Sequence, residues 1–280
     1  MKFKQFLVIG AMLAVQAHAS ERLISYDLGS IDTLRVLQAT DQLVGLPKQA
    51  LPQYLSEFSE AQYSDVGGLK TPNTEAVAEA DPSLIFITAR QREQGAALKE
   101  IAPTEMVGLV EGDYWPAFEE HVMKVASHVE KQNEARAALG ALKADLRQMK
   151  DQVADQQVLM VTHNAGGFGV LHDPVAFELL GLDQVQLPDT VKPVKHGTRV
   201  FMPLTVDDIV TSNPKVLYVV DRSQAIGQTD KALDVDALQS QLKQLGSDTK
   251  VAYLTPGLWY LSGNGLESVK LQAQELTQAL

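Results

Sequence analysis

Between residues 116 and 153, apolar side chains recur at Phe118, Val122, Val125 and Val129. They recur again at Leu139, Leu142, Leu146, Met149 and Val153. Steps of three and four are the period of a helix with one buried stripe. Pro116 suits a first helical turn, where its missing N–H is not required. The pattern predicts one helix over residues 115–153, roughly 50 Å long at 1.5 Å per residue, well beyond the usual length in a compact domain. The other reading of the same stretch is two ordinary helices broken near Asn133.

On either side of this run lie two blocks that align without a gap. Residues 74–90 read TEAVAEADPSLIFITAR and residues 206–222 read VDDIVTSNPKVLYVVDR. Glu75 matches Asp207, Asp81-Pro82 matches Asn213-Pro214, and Arg90 matches Arg222. Each block predicts a short helix, a proline turn and a buried strand with an arginine just past its end. A continuous apolar strand after a helix indicates a sheet covered on both faces, as in α/β folds. The rest of the pattern agrees. Strands are predicted at 23–26, 43–46, 158–161 and 250–254, and helices at 30–39, 173–180, 234–245 and 266–280. The expected fold is therefore α/β, with two lobes of similar topology (residues 20–114 and 154–280) joined by one long helix (115–153). The ligand cleft lies between the lobes, and the stiff connection implies little closure on binding.

Composition adds a compartment. Met1-Lys2-Phe3-Lys4, the apolar run from Phe6 to Val15 and Ala17-His18-Ala19 have the form of a secretory signal peptide cleaved after Ala19. No cysteine occurs among the 280 residues. That excludes disulfides, thiolate metal sites, a cysteine nucleophile and a lipidated cysteine anchor. The expectation is an exported, unlipidated, monomeric protein of the Gram-negative periplasm. The net charge of −11 argues against nucleic acid as a partner.

In an acidic chain, paired arginines stand out. Ligands of open α/β sheets sit beyond the C-terminal ends of strands, so Arg90 and Arg222 are expected on opposite walls of one cleft. Their planar donor forks suit a ligand with several anionic oxygens. Lys195, His196 and Arg199 cluster in one predicted loop, where a solvated His is the bland reading. Trp259 and Tyr260, in a glycine-rich segment after the last strand, either cover an aromatic ligand or pack the lobe. His121 and His128 are expected on the exposed face of the long helix. His163 and His172, near the turn Gly166-Gly167-Phe168-Gly169, lack the helical pairing of a metal site. Neither Gly-x-Ser-x-Gly nor His-Glu-x-x-His occurs, and Gly263 and Gly265 lack the following Lys-Ser/Thr of a P-loop. An enzyme acting on an anionic substrate thus has no recognisable nucleophile–base pair.

ITARQ at 87–91, VVDR at 219–222 and WYLSGNGLES at 259–268, with YDLG at 26–29 and DVGG at 65–68, together resemble the periplasmic siderophore-binding proteins of bacterial ABC importers. The resemblance covers nearly the whole chain after residue 19 and is nearest to the ferric catecholate branch. It implies a non-catalytic receptor without an intrinsic cofactor, which captures ferric iron as a siderophore complex and delivers it to an ABC permease. By resemblance, Arg90 and Arg222 contact the anionic complex, and Trp259 belongs to the ligand-binding segment. His196 and Tyr260 complete iron coordination when the siderophore leaves two positions open, and Glu75 and Asp207 dock onto the permease. The third arginine common in the family is absent from the short turn at 166–169, and Lys195 or Arg199 is the expected substitute. Related two-lobed receptors take haem or a corrinoid, and these are the alternative ligands; a divalent-metal receptor would need several histidines converging in the cleft.

Overall fold

The computed structural model describes residues 21–49, 51–197 and 199–280, with the side chains of residues 196 and 199 also outside the description. The expected signal peptide lies outside the described residues.

The first lobe is built on five parallel strands: β1 (Leu23–Ser25), β2 (Leu43–Leu46), β3 (Ser64–Asp65), β4 (Leu84–Ile87) and β5 (Thr104–Met106). They run in the order β3-β2-β1-β4-β5. Helices α1 (Leu28–Val36), α2 (Thr74–Glu79) and α3 (Gly95–Lys99) cover them. All four side chains of β4 are buried, as a parallel strand covered on both faces requires.

The predicted single helix is instead two: α4 (Tyr114–His128) and α5 (Gln132–Val153). Glu130 takes a left-handed φ of 55°, and the Lys131 N–H closes the turn on the Ala126 carbonyl at 2.9 Å. The chain then folds back, since the Lys143 ammonium lies 5.0 Å from the Trp115 ring centroid. The reason is phase. The buried stripe passes from Val129 to Ala135, a step of six that would carry it roughly 120° around a straight helix. Breaking the helix lets Val125 and Val129 pack with Leu34 and Phe86 of the first lobe. Leu139, Leu142 and Leu146 pack with Val158, Met160 and Tyr218 of the second. The connector proper is α5, about 33 Å long.

The second lobe contains β6 (Gln157–Asn164), β7 (Gly167–Val170), β8 (Asp183–Gln184), β9 (Val194–His196), β10 (Arg199–Phe201), β11 (Pro203–Leu204), β12 (Val216–Asp221) and β13 (Lys250–Leu254). Its main sheet runs β11-β7-β6-β12-β13, with β8 also beside β6. Strands β6, β12 and β13 are parallel, while β7 and β11 are antiparallel. Its helices are α6 (Val206–Ser212), α7 (Arg222–Ala225), α8 (Val235–Gln244) and α9 (Leu266–Ala279). The predicted helix at 173–180 is only a π turn, Val175–Leu179.

The two aligned blocks occupy equivalent places. α2 leads to β4 beside β1, and α6 leads to β12 beside β6. Asp81 and Asn213, at matching positions before the prolines, both adopt φ 47°. Such left-handed residues end a helix without glycine where Asn or Asp is present.

The lobes are stapled by the start of α9. Asp32 of α1 is fully buried and accepts hydrogen bonds from the N–H groups of Glu267 (2.9 Å) and Ser268 (2.8 Å). A carboxylate from one lobe therefore caps a helix of the other. Burial pushes the Asp32 carboxyl up to about 6, although the bonds from Ser268 and Glu267 and the Arg35 charge oppose this. Arg35 also pairs with Glu267 at 2.5 Å. The Tyr54 and Ser262 hydroxyls bond to one another, and the Tyr114 hydroxyl donates to Asn264 at 3.0 Å.

Candidate functional site

A cleft of about 500 Å³ opens between the lobes. Its first wall comes from the loops after β2 (Pro47, Gln49), β3 (Gly68, Leu69, Lys70, Thr71) and β4 (Arg90); its second comes from α7 and its C-cap (Arg222, Ile226) and the segment after β13 (Tyr260, Leu261). Every one of these segments follows the C-terminal end of a strand, as the topology of open α/β sheets requires.

Arg90 and Arg222 face this cleft from opposite lobes and meet at Tyr260. The Arg90 guanidinium donates to the carbonyl oxygens of Tyr260 (2.9 Å) and Leu261 (3.0 Å) across the lobes. Arg222 donates from Nε to the Tyr260 hydroxyl oxygen (2.8 Å) and from Nη1 to Asn164 Oδ1 (2.7 Å). Its guanidinium carbon lies 5.6 Å from the Tyr260 ring centroid. Two cations thus converge on one residue, Arg90 on its backbone carbonyl and Arg222 on its phenol, so a ligand bringing anionic oxygens meets guanidinium groups already placed at the opening.

Local structure fixes both arginines. Thr88 caps the turn that carries Arg90, and Gln91 returns a bond to the Thr88 N–H at 2.8 Å. The buried Gln91 also donates to the Leu69 carbonyl, which ties that turn to the loop bearing Lys70. The Lys70 loop is closed by reciprocal backbone bonds between Gly68 and Thr71, 3.0 and 3.1 Å. Asp221 precedes Arg222 and caps α7. Burial acts to raise the Asp221 carboxyl, but bonds from the Leu233 N–H, His163, the Gln224 N–H and Tyr253 outweigh it. They hold Asp221 below the ordinary carboxylate range.

Several expectations change. Trp259 does not line the cleft. It is 9% exposed, joins the core of the second lobe, and donates its indole N–H to Glu275 at 2.7 Å. The π turn Gly257–Leu261 sends Trp259 inward and its neighbour Tyr260 toward the opening. His121 is buried rather than exposed, 3.5 Å from Asp27, and His128 pairs with Glu105 at 2.6 Å. His163 is buried against Asp221, and His172 stacks on Phe177 with centroids 4.4 Å apart. Among the described residues, no cluster of three or more potential metal-ligating His, Asp or Glu side chains occurs. The predicted loop around residues 194–199 is a β-hairpin, β9 paired with β10. Lys195 is exposed on it and is not among the residues lining the cleft. The side chains of His196 and Arg199 lie outside the description. Glu75 and Asp207 are both exposed, each in the first turn of its repeated helix. Lys70 and Asn164 were not legible as site residues, because Lys70 reaches the cleft through the placement of a loop and Asn164, at the end of β6, through its bond from Arg222.

The profile of the periplasmic binding protein family matches residues 23–244. The chain belongs to the periplasmic binding protein family. Among its relatives in the family, the petrobactin-binding protein YclQ of Bacillus subtilis is 32% identical over 274 residues, covering 93% of this chain and 82% of its own. The YclQ crystal structure aligns with a TM-score of 0.77 over 92% of this chain and 91% of that one. The iron uptake ABC transporter substrate-binding protein PiuA from Streptococcus pneumoniae aligns with a TM-score of 0.81 at 27% identity, over 93% of each chain. The ferric-anguibactin-binding protein FatB of Vibrio anguillarum is 22% identical, over 94% of this chain and 83% of its own. The protein is a substrate-binding protein and not an enzyme.

Proposed function

We propose that this chain captures a ferric catecholate siderophore in the inter-lobe cleft and delivers it to an ABC permease for iron uptake. The observation that carries the reading is the convergence of Arg90 and Arg222, from opposite lobes, on Tyr260. In a chain of net charge −11, a cleft whose walls also include Lys70 is a local cationic site. A ferric catecholate is an anion rich in oxygen acceptors, and arginine is the side chain best matched to it. Relatives named for petrobactin binding and iron uptake support the same class of ligand.

Iron is the cargo. Ferric ion is hard and takes phenolate readily, and a metal charge favours loss of the phenol proton. Tyr260, already accepting a bond from a guanidinium, is proposed as one protein ligand when the siderophore leaves positions open. His196 is proposed as the other, and Lys195 and Arg199 as cations on the same hairpin. Glu75 and Asp207, one per lobe, are proposed to dock onto basic groups of the permease. Export by the N-terminal signal and residence in the Gram-negative periplasm complete the proposal.

Titration with ferric bis- and tris-catecholates, followed by tryptophan fluorescence, tests the reading. Saturable quenching is expected. No response to either class of complex overturns the catecholate assignment, and a Soret band on haem titration replaces it with the haem reading.

A further inference from the structure

His163 is 2% exposed, and both of its ring nitrogens are engaged. The Gly166 N–H lies 3.0 Å from Nε2. A backbone N–H can only donate, so Nε2 is the bare nitrogen and the proton sits on Nδ1. Nδ1–H then donates to Asp221 Oδ1 at 3.0 Å. The other carboxylate oxygen accepts from the Leu233 N–H (2.7 Å) and the Tyr253 hydroxyl (3.1 Å). Phe168 packs on the imidazole, with centroids 5.4 Å apart.

The two partners of His163 lead to the same place. Asp221 is the cap of α7, whose first residue is Arg222. Gly166 belongs to the β6–β7 turn, whose preceding residue Asn164 accepts from Arg222 at 2.7 Å. The β6–β7 ladder pairs Asn164 with Gly167 on either side of that turn. Ala165 sits at φ 49° and Gly166 at φ 87°, and alanine is disfavoured in the left-handed region. Two side chains brace it: Ser223 Oγ, distant in sequence, accepts from the Ala165 N–H at 2.9 Å, and His163, three residues back on β6, accepts from the Gly166 N–H.

We propose that His163 is a positioning residue for ligand capture. Through the β6–β7 turn it fixes Asn164, and through Asp221 it fixes the start of α7, so that the Arg222 guanidinium is aimed into the cleft before ligand arrives. The role rests on the receptor reading given above. An ordinary core histidine fills volume, whereas this one joins the two segments that hold a cleft cation from both sides. Pre-aiming a side chain removes part of the ordering cost of binding.

The test uses the full chain, with two readouts. Nitrogen-15 NMR of the ligand-free protein reports the His163 tautomer and the Arg222 Nε–H. Fluorescence titration with a synthetic ferric bis-catecholate reports affinity. The wild type is expected to show the Nδ1–H tautomer and a slowly exchanging Arg222 Nε–H. His163→Leu is expected to lose that signal and bind about tenfold more weakly. His163→Gln, whose amide offers both a neutral acceptor and a donor, is expected to recover most of both. Asn164→Ala, a surface change, is expected to weaken binding by a similar factor, and the double variant to lose little more, because both act through Arg222. An Nε2–H tautomer, additive losses, or an unchanged Arg222 signal in His163→Leu overturns the proposal. If His163→Leu does not fold, an Asn164→Ala protein with wild-type signal and affinity overturns it equally. If the wild type binds no ferric catecholate, the receptor reading fails, while the NMR readout still decides whether His163 positions Arg222.

Discussion

Replacing Asp32 by alanine removes the carboxyl that caps α9 from the opposite lobe. Two N–H groups, on the half-buried Glu267 and the fully buried Ser268, lose their acceptor. Each buried donor left without a partner costs about 1–3 kcal/mol, so the structural loss is roughly 2–6 kcal/mol. That loss should depend on pH. Burial raises the Asp32 carboxyl from 3.8 to about 6. Between those values the folded chain keeps a proton that the unfolded chain has released, so stability falls as pH rises through this window. The contribution is fully present below the unfolded value and is lost as pH passes the folded one. The shift amounts to about 3 kcal/mol at 1.36 kcal/mol per unit. The alanine variant has no such group, and other titrations cancel in the comparison. Asp32→Ala should therefore cost most near pH 4 and about 3 kcal/mol less near pH 8. Urea denaturation of both proteins across that range, with stability taken from midpoint and slope, measures the difference. A cost that stays constant or grows with pH refutes the reasoning, because it would mean that the buried carboxyl carries no raised pKa.

Other outcomes follow from the same geometry. Tyr260→Phe removes the oxygen that accepts from Arg222 and should shift or abolish any phenolate-to-iron charge-transfer band of a tetradentate ferric complex; an unchanged visible spectrum would leave Tyr260 only a packing role. Arg90→Ala deletes both bonds to the Tyr260–Leu261 backbone and should weaken ferric catecholate binding roughly tenfold or more, given about 1.5–3 kcal/mol per charged bond, as read by fluorescence titration. Glu75→Ala with Asp207→Ala should abolish receptor-stimulated ATP hydrolysis by the reconstituted permease, and full stimulation would place the docking surface elsewhere. Gly29→Ala drives a Cβ into the Gly263 carbonyl oxygen across the lobe interface and should lower stability by about 1–3 kcal/mol in the same denaturation assay. With the lobes stapled at Asp32, Arg35 and Arg90, solution scattering should change little on ligand addition.

Local information settled a good deal of this protein. The repeat at 74–90 and 206–222 placed one helix, one proline turn and one buried strand in each lobe, and the left-handed Asp81 and Asn213 confirm that the same local rules acted twice. Arg90 and Arg222 could be assigned to the cleft because a strand's direction fixes where its C-terminal end lies. The break at Glu130 was also written in the chain, as a six-residue step in the apolar stripe between Val129 and Ala135, and the alternative reading of two helices broken near Asn133 came close to it.

The sequence by itself therefore determined the α/β class, the two similar lobes and the arginines that face each other, since these depend on periodicities and turns spanning a few residues. Only the tertiary structure decided that Trp259 turns inward while Tyr260 faces the cleft, that Asp32 caps a helix some 235 positions away, and that His163, Asp221 and Asn164 surround Arg222. Those outcomes depend on which distant groups can satisfy a buried donor or charge. A hydrogen bond between residues far apart leaves no period in the chain, and only the packing of the lobes brings its partners within reach.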